Sequence, residues 1–314
     1  MDDFPPSSGT DICAAEVVAA CYRAILRRDP DPEGHRVYTE AMADGRLNFE
    51  QLLTLFIQSD EFAANVDGTH AKTPVWSGPR VVFVHIPKTA GATLHGLLES
   101  NFHPRQRWPH RRFEADHFAE TDARQRSLFS MHMLLGEVRS IPDPKFTMCF
   151  FRDPVERLVS HYRFMLSHKD VPGFADHPVL LRGLRTSPTE FLASRDSEIR
   201  NNFDNPYLRV LTNSRLGLDG VDPIVGDGNA LVAQAVENLS HIDFIGITEE
   251  FDNSVAKLAK RIHLVFPASI SRDNETKGGP LDQSTLAEIR SAAEPYIRYD
   301  QNIYKAALAR FNLQ

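Results

Sequence analysis

Cysteine is scarce: Cys13, Cys21 and Cys149 are the only three in 314 residues, an odd number with no Cys-x-x-Cys pair. That argues against a disulfide framework and against a zinc site built on paired thiolates. Long apolar runs are lacking too. No stretch approaches the roughly 20 residues that a membrane-spanning helix needs. The start, Met-Asp-Asp-Phe-Pro-Pro, has no basic region leading into an apolar segment, so neither a secretory leader nor an anchor is expected. A reducing cytoplasm is the compartment that fits. There is no excess of positive charge: the net charge is -7, which makes nucleic acid a poor partner. Internal repeats and low-complexity tracts are also missing.

What is present suffices for a large core, since 42% of the residues are hydrophobic. The charge is uneven. Residues 1–70 hold 13 Asp and Glu against 5 Lys and Arg, leaving 29 acids against 30 bases in 71–314. The acidity therefore sits at the N-terminal end, and the remainder is free to receive an anion.

Residues 1–10 read as a loose leader and 11–66 as a small all-α accessory domain. Val17, Val18, Cys21 and Ile25 make one apolar helical face. Asp29-Pro-Asp-Pro-Glu-Gly ends that helix, a second is expected over about 33–43, and Asn48 with Gln51 forms a capping pair for a third that buries Leu52, Leu53, Phe56 and Ile57. Residues 67–79, rich in Gly, Pro and polar groups, read as a linker to a domain spanning 80–314. There the pattern changes. Val81-Val-Phe-Val, Phe146-Thr-Met-Cys-Phe-Phe and Ile242-Asp-Phe-Ile-Gly-Ile are short apolar runs of the kind found in buried parallel strands, each followed by a helical stretch. Alternation of this kind implies an α/β fold, a three-layer parallel sheet flanked by helices.

The first strand runs into His85-Ile-Pro-Lys-Thr-Ala-Gly-Ala-Thr. Ligands of open parallel sheets bind where strands end. Ala90, Gly91 and Ala92 are small enough for backbone N–H groups to approach an anion, and the following helix points its positive end at the same place. Lys88 adds a charge, and Thr89 and Thr93 add hydroxyls. The lysine lacks the preceding Gly-x-x-x-x-Gly of a Walker A loop. The second strand ends in Phe151-Arg152-Asp153-Pro154, and Ser160 follows two turns into the next helix. A phosphate at this corner would meet a bidentate guanidinium and a hydroxyl. Arg157 on the same helix has a structural explanation, pairing with Asp153 or Glu156.

The loop is similar to the phosphosulfate-binding loop of the sulfotransferases, in particular the family containing the heparan sulfate 2-O-sulfotransferases, which opens with His-x-Pro-Lys-Thr. The match covers His85, Pro87, Lys88, Thr89, Gly91 and Thr93, while Ala92 stands where that family often has another hydroxyl. The resemblance implies a P-loop-like α/β/α fold and 3′-phosphoadenosine 5′-phosphosulfate (PAPS) as donor. It also implies that Arg152 and Ser160 grip the donor's 3′-phosphate. Asn201-Asn202 with Arg209 resembles a segment on the active-site side, and Lys277 lies in a stretch like the family's late basic loop, where a solvated lysine explains it as well. The resemblance spans roughly residues 80 to 311.

Sulfuryl transfer needs charge stabilised on the bridging oxygen, a role for Lys88, and a base for the acceptor hydroxyl. His132, between the two anion sites, is the expected base. The family commonly has Gly-His there, and here Met131 replaces the Gly. His85 reads as a positioning group and His161 as packing or surface. No metal is required. The acceptor is expected to be a hydroxyl-bearing saccharide. The stretch His103 to Arg112, with four arginines, could hold an anionic sugar with Trp108 stacked on it, though a solvated basic loop accounts for it better. A catalytically silent scaffold and a kinase-like nucleotide binder are the competing readings. Asp29, Asp31, Glu33, Gly34 and Glu40 nearly fit a calcium loop, but a helix–helix turn explains them better. The segment Tyr22 to Gly34 with Ser59-Asp-Glu-Phe62 resembles a bacterial helical module patterned like phycobilisome linkers, which implies a bacterial origin and a role in protein contacts.

Overall fold

The computed structural model describes residues 13–26, 29–59, 62, 76–115, 118, 120–169, 177–194, 199, 203–213, 216–217, 220–221, 227–267 and 281–314. The expected leader, most of the linker, Asn201, Asn202 and Lys277 lie outside the described residues. Backbone contacts divide the chain into two compact units, Met1–Pro74 and Val75–Gln314.

The first unit contains α1 (Ala14–Cys21), which continues as a π-helical turn over Tyr22–Leu26, then α2 (Pro32–Ala43) and α3 (Phe49–Ile57). Its core gathers Val18, Cys21, Tyr22, Leu26, Leu52 and Phe56. The capping box forms as its residues dictate: the Asn48 side-chain Oδ1 accepts from the Gln51 N–H at 2.8 Å, and the Gln51 side chain accepts from the Asn48 N–H at 2.9 Å. Ile57, expected inside, is 52% exposed, because α3 buries only the Leu52 and Phe56 face deeply. The calcium-like string does not make a calcium loop. Asp31 caps α2 through the Gly34 N–H at 2.8 Å, Glu33 to Glu40 lie within that helix, and Asp29 pairs with Arg23.

The second unit runs β1 (Arg80–Val84), α4 (Gly91–Glu99), β2 (Leu128–Met131), β3 (Lys145–Phe151), α5 (Pro154–Leu166), α6 (Pro206–Thr212), a two-residue ladder β4 (Leu216–Gly217) and β5 (Gly220–Val221), α7 (Gly228–Asn238), β6 (Phe244–Ile247), α8 (Phe251–Ile262), α9 (Gln283–Ala292) and α10 (Asp300–Asn312), with shorter helices between them. The main sheet has the order β2-β1-β3-β6, and its three pairings are all parallel. Both faces of the sheet are covered, which is why the strands are largely apolar along their length rather than at every second position, with Ser130 and Thr147 the buried polar exceptions among the described residues. Val82, Val84, Phe129, Met131, Cys149, Phe151, Ile245 and Ile247 pack with residues of α6, α7 and α10. Val81, Phe83, Leu128, Phe146, Met148, Phe150 and Phe244 pack on the other face with α4 and α8. β2 was not expected as a strand. Four residues with a serine in the third place carry little strand signal, and only pairing with β1 gives them one.

Candidate active site

The parallel strands deliver their chain at one edge of the sheet, and a polar residue follows each: His85 after β1, His132 after β2, Arg152 after β3 and Glu249 just beyond β6. From β1 the chain turns to β2, and from β3 it turns to β6. The loops after β1 and β3 therefore diverge and leave a crevice, the usual place for a ligand in such a sheet.

The loop after β1 forms one wall. Lys88 (φ 70°) and Ala90 (φ 65°) are both left-handed, which residues with a Cβ seldom adopt. Such backbone costs on the order of 1–3 kcal/mol per residue and collects at ligand sites. Ala90 stands directly before the right-handed start of α4, an alternation that gathers N–H groups into an anion-binding nest. No side chain caps α4, so its first amides are not engaged by an N-cap group. Gly91 is required by space, because a Cβ there would lie 1.8 Å from His85 Nε2. Thr89, expected to offer its hydroxyl to an anion, is fully buried and donates to the Ile86 carbonyl at 2.9 Å, closing the turn on itself. Ala92 is exposed on α4, and Thr93 is half-buried.

Lys88 sits among other cations. Its ammonium lies 3.9 Å from the centroid of the Phe164 ring on α5, and Arg152 Nη1 donates to the Lys88 carbonyl at 3.5 Å. Burial, with the charges of Arg152 and Arg163, lowers the Lys88 pKa from 10.5 to about 8. Arg152 is held by its peptide: the Tyr207 hydroxyl accepts from its N–H at 3.0 Å and donates to its carbonyl at 2.5 Å. Glu249 Oε1 stands 4.0 Å from Arg152 Nε and accepts from the Asp153 N–H at 3.0 Å. Ser160 is half-buried on α5. Arg157 pairs with neither acid proposed for it. It is fully buried and donates to the Phe203 carbonyl at 3.0 Å, while Asp153 caps α5 and Glu156 pairs with Arg290.

His132 lies on the other side of β1. Its Nδ1 is 2.9 Å from the His85 carbonyl oxygen, and the two imidazoles stack at 4.3 Å. Burial lowers its pKa below the usual 6.5, partly opposed by the bond to His85 and reinforced by Arg112 and Arg111, so it is neutral near pH 7.

This strand–loop–helix with its cationic partners falls within residues 77–306, which match the model of the sulfotransferase family. The chain belongs to that family. Residues 2–66 match a domain of unknown function, DUF4214. No curated protein matches the chain.

The sulfotransferase domain corrects several expectations drawn from sequence. Trp108 is buried against Phe129 (5.5 Å, stacked) and Phe118 (4.9 Å), so it is not available to a sugar. Arg209 is fully buried in an ion pair with Asp204 at 2.6 Å, and does not line the crevice. His161 packs on Phe203 at 4.7 Å, as expected of a packing residue. Sequence reasoning missed Phe164, Arg163, Tyr207, Glu249 and His95. Only the first two had a local signal, lying one turn beyond Ser160. No helix among the described residues is long and apolar enough to cross a membrane, and none of their His, Cys, Asp and Glu side chains group as a metal site.

Proposed function

We propose that this sulfotransferase moves a sulfuryl group from PAPS to an acceptor hydroxyl, on a saccharide, in the manner of the heparan sulfate 2-O-sulfotransferases. One observation carries the reading. The Lys88 loop, Arg152 and His132 stand at the ends of three neighbouring strands, with clustered cations on the β3 side and a neutral imidazole on the β2 side. The left-handed loop, the α4 start without a side-chain cap and the convergent cations fit a phosphosulfate. PAPS, when bound, supplies the sulfuryl group and a phosphate leaving group.

In this reading, the backbone from Pro87 through Thr93 (Lys88, Thr89, Ala90, Gly91 and Ala92 between them) cradles the phosphosulfate, as in a P-loop-like fold. Arg152 and Ser160 take the 3′-phosphate, and Lys277 is a further nucleotide contact. Lys88 stabilises charge on the bridging oxygen. The His85 carbonyl can only accept, so Nδ1 of His132 carries the proton and Nε2 presents the lone pair that takes the hydroxyl proton. No metal takes part. Residues 11–66 act as an all-α accessory domain for protein contacts, like a phycobilisome-linker module, joined through 67–79 to the transferase domain 80–314.

Titration calorimetry with 3′,5′-adenosine bisphosphate against ATP tests the donor. Tight bisphosphate binding, weak ATP binding and transfer of labelled sulfate are expected. Magnesium-dependent ATP turnover would establish a kinase-like protein instead. Lys88→Ala is expected to weaken bisphosphate binding and to slow transfer on the order of 10²-fold. Unchanged values in both would sink the proposal. Labelled donor offered to a panel of glycans and small alcohols identifies the acceptor.

A further inference from the structure

Behind His132 lies a row of polar groups, with His85 and Ser130 buried, His95 half-buried and Arg111 at the exposed end, that neither donor binding nor proton transfer requires directly. The His85 ring stacks on His132 at 4.3 Å. Its Nδ1 is 3.1 Å from Nε2 of His95, which projects from α4. Nδ1 of His95 is hydrogen-bonded to the hydroxyl of Ser130 on β2 and lies 3.2 Å from Arg111 Nη1. Arg111 is itself tied to Glu99 and to the Ser130 carbonyl.

The protons in this row are assigned by what each partner can do. A guanidinium only donates, so Nδ1 of His95 presents a lone pair to it. A neutral His95 then carries its proton on Nε2 and donates it to Nδ1 of His85. Burial keeps His95 neutral, with its pKa lowered to about 3, and holds His85 well below the usual range. The proton of His85 is thereby on Nε2, the atom against Gly91, and that nitrogen has no hydrogen-bond partner among the described residues. Carrying an unpartnered buried nitrogen is unfavourable, and such groups call for an explanation beyond packing.

We infer that His95 is a positioning residue for the base: through its hydrogen bond to His85 it fixes the ring on which His132 stacks, and it ties the base to α4, the helix that begins in the donor loop. This rests on reading His132 as the base. The row joins the end of β1, the end of β2 and the first turns of α4, so the acceptor side and the donor side share one set of hydrogen bonds.

The test compares His95→Phe, which keeps a ring and loses the bond, with His95→Gln, whose amide N–H can donate to His85. In His95→Phe, kcat for sulfate transfer is expected to fall on the order of 10- to 100-fold, while the bisphosphate Kd and the donor KM stay at wild-type values. His95→Gln is expected to recover most of the loss. Long-range proton–nitrogen spectra of labelled histidine should show His85 as the Nε2–H tautomer in the wild type and as a mixture in His95→Phe. Should His95→Phe fail to fold, Ser130→Ala is expected to show the same kcat loss at unchanged bisphosphate Kd. If these variants keep wild-type kcat while His132→Ala is inactive, the positioning role is wrong and the base stands. If His132→Ala transfers normally, the base reading itself fails.

Discussion

Lys88 is the residue whose chemistry depends most on its surroundings. A lysine free in solution holds its proton to about pH 10.5, whereas here burial and two arginines bring that value to about 8. Below pH 8 both forms are protonated. Between about 8 and 10.5 the folded protein holds fewer protons than the unfolded chain. An anion on Lys88 favours the charged form and raises the value again. Bisphosphate binding near pH 8 is therefore expected to take up a proton, and affinity to fall as pH rises through about 8. Calorimetry in buffers of different ionisation enthalpy measures this directly, and no uptake would show that Lys88 does not meet the anion. Gly91 makes a steric prediction. Gly91→Ala puts a methyl 1.8 Å from His85 Nε2 and forces either the ring or the α4 start to move. Loss of bisphosphate binding is expected, read by calorimetry on protein shown by circular dichroism to be folded.

At the scale of elements, the start of α5 shows what is local and what is not. Asp153 caps it through the N–H groups of Val155 (3.0 Å) and Glu156 (3.1 Å), and Pro154 begins it. These contacts span two or three residues, and Pro154 was legible as a helix start, while Asp153 was read as a partner for Arg157 rather than as the cap. The aim of Arg152 was not legible. It depends on Tyr207, 55 positions away, and on Glu249, 96 positions from Asp153. Tyr207→Phe keeps the buried ring and removes both hydrogen bonds to the Arg152 peptide. A stability loss of about 1–3 kcal/mol is expected in urea unfolding, together with weaker bisphosphate binding. Unchanged binding would mean that α5 alone orients Arg152.

At the scale of the molecule, two sets of buried residues are separate in sequence. The first unit buries Val18, Leu52 and Phe56, while the sheet and its helices bury their own residues within 81–311. Each set is a core in its own right, so two thermal transitions are expected in scanning calorimetry. Bisphosphate should raise only the one belonging to the sulfotransferase domain, since a ligand stabilises the unit that binds it. A single transition would mean that the two units unfold as one.

By itself the sequence determined the strand–loop–helix from β1 into α4, the capping pair of α3, the proline start of α5 and the order of the motifs that follow β1 and β3. All of these depend on residues within a few positions of each other, on backbone geometry and on apolar period. Only the tertiary structure decided which polar side chains reach the site. It turned the Thr89 hydroxyl inward, buried Arg157, Arg209 and Trp108, and brought His132 to His85 across 47 positions and Ser130 to His95 across 35. The reason is that burial and hydrogen-bond partners follow from parallel strand pairing. Parallel pairing joins distant segments, and nothing in four residues such as Leu128 to Met131 announces the strand they will lie beside.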